Sequence, residues 1–228
     1  MSKFKGYQDA EVKRTLCKDI ELLYPYEITL PDPPKAEDII NYGLPVEQQF
    51  FKRIEQHKKL IELNSLEDVK EARRRLLAND DLSSWVDELW DILENGQWQY
   101  IRGVPTFITG DYLRYLSFNK IDTGLPLYRS SDMDKAQWWE FCIKKNPYCF
   151  GGIEMTRRRV GKSYFAGMFG LSSSTNGYGR NFGIQSKEDK SAMDFFRKCV
   201  RNPLNSYPFY LRPHSSTDIN TKGNRIAF

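Results

Sequence analysis

The sequence predicts an α/β protein: a mostly helical region over residues 1–95, then over 96–228 the opening part of a domain built on a parallel sheet. Three observations lead there. Between Pro45 and Leu93 apolar residues recur at helical spacing. From Gln97 the period shortens, and aromatic and branched residues sit among Gly103, Pro105 and Gly110. Finally, a short apolar run (Tyr148 to Met155), a turn ending in Gly161-Lys162-Ser163 and a helically spaced run from Tyr164 follow one another as strand, loop and helix.

The elements follow in order. Residues 8–23 carry Val12, Leu16, Ile20 and Leu23 on one side of a short helix, which the proline-rich stretch after Ile28 breaks. Pro45 is suited to start a long helix with Val46, Phe50, Ile54, His57 and Ile61 on its face. His57 on that apolar side reads as a packed histidine, since no second ligand lies near it in sequence. Leu66 to Leu77 gives a second helix, with Ser65 as its cap. Its Arg73-Arg74-Arg75 run reads as a solvated face, and a DNA- or partner-contacting surface is the sharper alternative. Asp81 to Leu93 gives a third helix, ended by Asn95-Gly96.

Beyond it, Trp98 to Ile108 predicts a β-hairpin, Asp111 to Phe118 a helical turn or two, and Ser131 or Asp132 the start of a helix through Lys145. Trp138 and Trp139 at helical spacing read as core. After the helix that follows Ser163, Tyr178 to Gln185 predicts a second strand. Ser186 predicts the cap of a last helix, stopped by Pro203, and from Tyr207 the chain is expected to be extended.

Gly161-Lys162-Ser163 is the core of a phosphate-binding loop. Glycine there admits phosphate close to the backbone, successive N–H groups cradle its oxygens, lysine reaches the β- and γ-phosphates, and the serine hydroxyl ligates Mg²⁺. One position departs from the usual pattern: Thr156 stands where the first glycine belongs, and the nearby glycines are Gly151 and Gly152. Arg157, Arg158, Arg159, Lys162 and Arg180 oppose only Glu154 between residues 151 and 180, a local positive field suited to the phosphates of a nucleotide or polynucleotide. The overall charge of +4 is too mild to argue for nucleic acid by itself. The 4 cysteines are widely spaced and there are only 2 histidines, so zinc is not expected and a reducing compartment is. No apolar run approaches the ~20 residues that span a bilayer, so no membrane role is expected.

Four stretches together resemble a known family: Trp98 to Tyr112, Ile121 to Arg129, Gly152 to Ser163 and Phe182 to Ser186. They are similar to the large terminase subunit of tailed bacteriophages, most of all the crAss-like phage type, and the resemblance covers about residues 97–228. It implies a RecA-like P-loop ATPase that drives viral double-stranded DNA into a procapsid from the host cytoplasm. ATP and Mg²⁺ are then its cofactors, the portal protein and the small terminase subunit its partners, and a homo-oligomeric ring its assembly.

By the same resemblance Thr156, Arg157, Val160, Gly161, Lys162, Ser163 and Tyr164 line the nucleotide. Arg158 or Arg159 stabilises charge on the γ-phosphate, and Gln137 reads adenine. The acid pair that ends the next strand in this family (the Walker B carboxylates) is not found in residues 164–228, nor is the nuclease domain. The chain is therefore expected to be truncated before that motif and to hydrolyse ATP slowly or not at all. A helicase-like translocase and a non-catalytic DNA- or nucleotide-binding module are the alternative readings.

Overall fold

The computed structural model describes residues 30–39, 55–66, 68–101, 103–145, 149, 151–153, 161–176 and 182–212; the side chains of residues 55–57 fall outside that description. The expectations for residues 8–23, the start of the first long helix, His57 and the loop 154–160 all lie outside the described residues. Among the described residues the fold is mixed, rich in helix, with one small sheet. It divides into two compact units, each assembled from three separate stretches. The first comprises Met1–Val46, Ile92–Leu113 and Tyr128–Met155; the second comprises Glu47–Asp91, Arg114–Leu127 and Thr156–Phe228.

The first unit is built on a hairpin. Strands β1 (Gln97–Ile101) and β2 (Val104–Ile108) pair antiparallel, with Trp98 opposite Phe107. Gly103, at φ +79°, supplies the left-handed turn that a tight connection needs. The end of the preceding helix α3 (Asp80–Asn95) is set by Gly96 at φ +82°, whose N–H bonds the Ile92 carbonyl at 2.8 Å. Trp98 meets Phe107 edge-on, ring centres 5.7 Å apart. Around that pair gather Leu30, Phe141, Cys142 and the half-buried Trp138. The predicted core role of Trp138 therefore holds. Helix α4 (Gly110–Phe118) starts at Thr109, whose hydroxyl accepts from the Tyr112 N–H. Helix α5 (Ser130–Trp138) continues through a π-helical stretch, Trp139–Lys144. The Tyr112 hydroxyl ties its start, accepting from the Arg129 N–H at 2.9 Å and donating to the Arg129 carbonyl at 3.1 Å.

Two polar features of this unit carry predictions. Gln99 on β1 is fully buried, and neither amide atom finds a partner among the described residues. An unmet buried amide costs about 1–3 kcal/mol, and methionine has a similar shape without the polar atoms. Gln99→Met is therefore expected to raise stability by about 1–2 kcal/mol, read as a higher urea midpoint. A drop in the midpoint would show that the amide is satisfied in solution.

The second feature is an ion cluster. Lys144 reaches Glu140 at 3.1 Å and Asp111 at 3.5 Å, and Lys145 reaches Glu140 at 3.1 Å. Both acids are almost wholly buried. Burial pulls the Lys144 ammonium down, but Asp111 and Glu140 outweigh it and leave it above its ordinary value of 10.5. Its contribution is thus complete at neutral pH and fades only as pH climbs through that raised value. Lys144→Met takes away the cation that Asp111 and Glu140 share, leaving Lys145 on Glu140, and is expected to cost about 2 kcal/mol near neutrality, read as a lower urea midpoint. An unchanged midpoint at neutral pH would contradict this account.

The second unit is helical. Helices α1 (Glu55–Asn64) and α2 (Val69–Leu77) pack with α3, burying Leu60, Ala72, Leu76, Leu82 and Val86 against Phe209. Asp68 caps α2, accepting from the Lys70 N–H at 2.8 Å; the cap expected at Ser65 is displaced. The Ser65 hydroxyl instead donates to the Glu62 carbonyl at 2.6 Å, closing the end of α1. Asn79 caps α3 through the Leu82 N–H. The arginine run on α2 divides. Exposed Arg74 and Arg75 clamp Glu71 at 2.8 and 2.7 Å and hold its carboxyl down near a pKa of about 2. Arg73 is half-buried and donates to the Arg212 carbonyl.

Helix α6 (Lys162–Thr175) forms the other half of the second unit. It packs on a continuous helical path made of α7 (Asp189–Phe196), a π stretch Arg197–Arg201 and α8 (Asn202–Ser206). Pro203 was expected to end that path, but it lies inside, in the first turn of α8. The π stretch resets the bonding pattern just before it, so proline falls where its missing N–H is not needed.

The expected parallel sheet needs correction. Among the described residues the only sheet is the antiparallel hairpin. Gly151, Gly152, Ile153 and Phe182–Gln185, expected in the two strands flanking the loop, form none. Gly151 adopts φ +152° and Ile153 is 91 % exposed, whereas a parallel strand is buried on both faces. Gly152 packs tightly instead on the Trp138 ring; an added Cβ would come within 2.3 Å of it.

Candidate phosphate-binding site

The motif sits where a helix begins. Gly161 takes the left-handed conformation (φ 82°, ψ 7°) and α6 follows at once; as the N-cap residue it offers no capping side chain of its own. A residue with a Cβ strains at that φ, so the turn into α6 requires this glycine. The opening N–H groups of a helix lack intrahelical partners and carry the positive end of its dipole. Lys162 and Ser163, the first two residues of α6, are both exposed. Thr156, Arg157, Arg158, Arg159 and Val160 lie outside the described residues.

Tyr164, the third residue of α6, is half-buried, and its hydroxyl donates to the Asp122 carboxylate. Burial, then that carboxylate, push its pKa up to about 12. Asp122 belongs to a turn closed by reciprocal backbone bonds between Ile121 and Gly124 at 2.8 and 3.0 Å. Its charge also adds to the burial that lifts the Cys199 thiol to about 11. Tyr164 therefore anchors the first turn of α6 to the chain's own turn 121–124.

Deeper along α6, Phe165 stands edge-on to Tyr115 at 5.3 Å and to Phe169 at 4.8 Å, and Met168 is fully buried. Gly167 lets the backbone of α6 lie against Cys199. At the far end Arg114, fully buried, reaches the Thr175 hydroxyl at 3.2 Å and the Asn176 side-chain oxygen at 2.8 Å. Its guanidinium also stacks 5.1 Å from the Trp90 ring centre. A cation at a helix C-terminus is favourable, and here it fixes the helix whose other end carries Lys162 and Ser163.

Sequence reasoning passed over Arg114. The sequence signal was misleading: Asp111, Arg114 and Ser117 recur every three residues on one side of α4, a pattern that reads as a solvated stripe.

Gln137, which the resemblance assigns to adenine, lies in the first unit and is 1 % exposed. Its Nε2 donates to the Phe107 carbonyl at 2.8 Å, and its Oε1 has no partner among the described residues. Gln137 is therefore packed inside the first unit. Its aliphatic stem suits the packed side of α5 because the amide donor finds a strand carbonyl.

Among the described residues no helix is long and apolar enough to cross a membrane. No protein-family profile, no curated protein and no solved structure matches this chain.

Proposed function

We infer that this chain binds a nucleoside triphosphate at the start of α6, as part of a DNA-packaging ATPase of the large-terminase kind with a P-loop fold. The observation that carries this reading is the exposed Lys162–Ser163 pair on the first turn of α6, directly after left-handed Gly161. Those groups fit a phosphate in chemistry: helix-opening N–H donors, a helix dipole and an unburied ammonium. In this reading Lys162 neutralises the β- and γ-phosphates and Ser163 offers its hydroxyl to Mg²⁺. The arginines at 157–159 supply further positive charge, with Arg158 or Arg159 answering the γ-phosphate. ATP supplies the phosphoanhydride bond whose cleavage would drive DNA movement. The chain's part is to hold and orient the phosphates, and Phe165, Met168 and the Tyr164–Asp122 bond keep the gripping turn in place.

The test is titration with a fluorescent ATP analogue and Mg²⁺. Lys162→Ala is expected to weaken binding by more than about a hundredfold, since charge-assisted contacts to phosphate are lost. Binding by the variant equal to that of the unaltered chain would remove the assignment.

A further inference from the structure

Within the second unit, the chain that leaves α4 is tied at both ends. Its stem is pinned to α8 and the residue after it. Buried Asn119 accepts from the Tyr207 hydroxyl at 3.2 Å. The Ser206 hydroxyl accepts from the Lys120 N–H at 3.3 Å, and its own proton lies within reach of the Pro203 carbonyl at 2.6 Å and the Phe118 carbonyl at 3.1 Å. Beyond the stem the reciprocal bonds between Ile121 and Gly124 close a turn, with Asp122 and Thr123 exposed at its tip.

The same stretch meets α6 at two consecutive residues. Tyr115, before the stem, stands edge-on to Phe165, and Asp122 at the tip receives the Tyr164 hydroxyl. Lys162 and Ser163 lie directly before that pair. Their own side chains form no hydrogen bond or ion pair with another described residue, so the backbone of the first turn orients them. A helix end is where order is lost first, because its opening N–H groups lack intrahelical partners and fraying costs little. A site that is ordered only part of the time binds more weakly by that fraction.

We propose that Asn119, Asp122 and Ser206 are positioning residues: the strap 119–124 holds the first turn of α6 in the helical form that grips phosphate. The strap rests on the nucleotide reading of α6 and adds to it the part of the chain that sets the affinity. It acts through Tyr164 and touches no phosphate itself.

Titration with the fluorescent ATP analogue and amide hydrogen exchange, both on the full chain, test it together. Asp122→Ala is expected to weaken analogue binding about fivefold, the factor for a first turn left ordered about one-fifth of the time. Tyr164→Phe should do the same, and the double variant should be no weaker than either, since both changes cut one strap. Ser206→Ala, which alters only the stem, should weaken binding about twofold. In all of these the Phe165 amide, which closes the first turn on the Gly161 carbonyl at 3.2 Å, should exchange faster, while the Met168 and Leu171 amides keep their rates. A general loss of stability would raise exchange along the whole helix.

Binding by Asp122→Ala equal to that of the unaltered chain, or equal exchange at Phe165, overturns the proposal and leaves the nucleotide reading standing. So does a loss in Asp122→Ala that Tyr164→Phe does not share, or that adds to it in the double variant, since Asp122 would then act on the ligand directly. Failure of the unaltered chain to bind the analogue overturns the reading of α6 and the strap's role with it.

Discussion

Arg114→Ala is expected to lower stability by about 4 kcal/mol, seen as a large fall in the urea midpoint with an unchanged slope. The residue is fully buried, so truncation leaves a void that its neighbours fill only in part. It also deletes two hydrogen bonds from a charged donor, to Thr175 and Asn176, and the stacking on Trp90. Bonds to charged groups contribute about 1.5–3 kcal/mol each and a desolvated cation–π contact about 2. Against this stands the cost of burying a guanidinium with no carboxylate beside it among the described residues, which alanine relieves. Arg114→Met separates the two. It refills most of the volume and removes the charge, so a return to within about 1 kcal/mol of the unaltered protein would mean that packing alone matters. The expected result is a residual loss of about 2 kcal/mol, because the Thr175 hydroxyl and the Asn176 side chain then lose their charged donor at the C-terminal end of α6.

What the sequence made legible was whatever is encoded locally. The hairpin followed from alternation around Gly103, the end of α3 from Asn95-Gly96, and the start of α6 from Gly161-Lys162-Ser163. The misses are places where distant contacts decide. Tyr148 to Met155 and Tyr178 to Gln185 have strand-like composition. A strand exists only when another pairs with it, and in the described part of both runs none does. Pro203 reads as a helix stop, yet the π stretch before it lets the helical path continue. Gln137 is polar and adjoins Lys135, which reads as surface, but the Phe107 carbonyl takes its amide into the core. Ser65 and Asp68 are both good caps, and only the chain geometry chose Asp68. In the candidate site, the residue types that bind phosphate were plain from order alone. What braces them, Arg114 and the Tyr164–Asp122 bond, depends on packing that no local pattern reports.

The same bracing gives the second large effect. A glycine inside a helix is ordinarily a liability, and changing it to alanine gains about 1 kcal/mol. At Gly167 the sign is expected to reverse. A Cβ there would lie 2.3 Å from the Cys199 carbonyl oxygen and 2.8 Å from its Cβ. The first obstacle is backbone, which cannot swing aside as a long side chain can. Cys199 sits in the π stretch, flanked by Val200 and by α8, and both Cys199 and Val200 are buried. Accommodation therefore means parting α6 from that stretch along their shared contact, which exposes Met168 and Leu171 on the same helix. Overpacking of this kind costs about 1–3 kcal/mol, and the lost helix contact brings the expected total for Gly167→Ala to about 3–4 kcal/mol. Gly167→Ala paired with Cys199→Ala discriminates the cause. Cys199→Ala removes only the sulfur and keeps both the carbonyl and the Cβ that the new methyl would meet, so the double variant should recover little. Full recovery would place the conflict in the thiol side chain and make the close backbone approach irrelevant. Because Lys162 and Ser163 open the same helix four to five residues before Gly167, nucleotide-analogue binding should weaken in Gly167→Ala even at temperatures where the chain stays folded. Lys162→Ala should lose binding while its urea midpoint stays where it was.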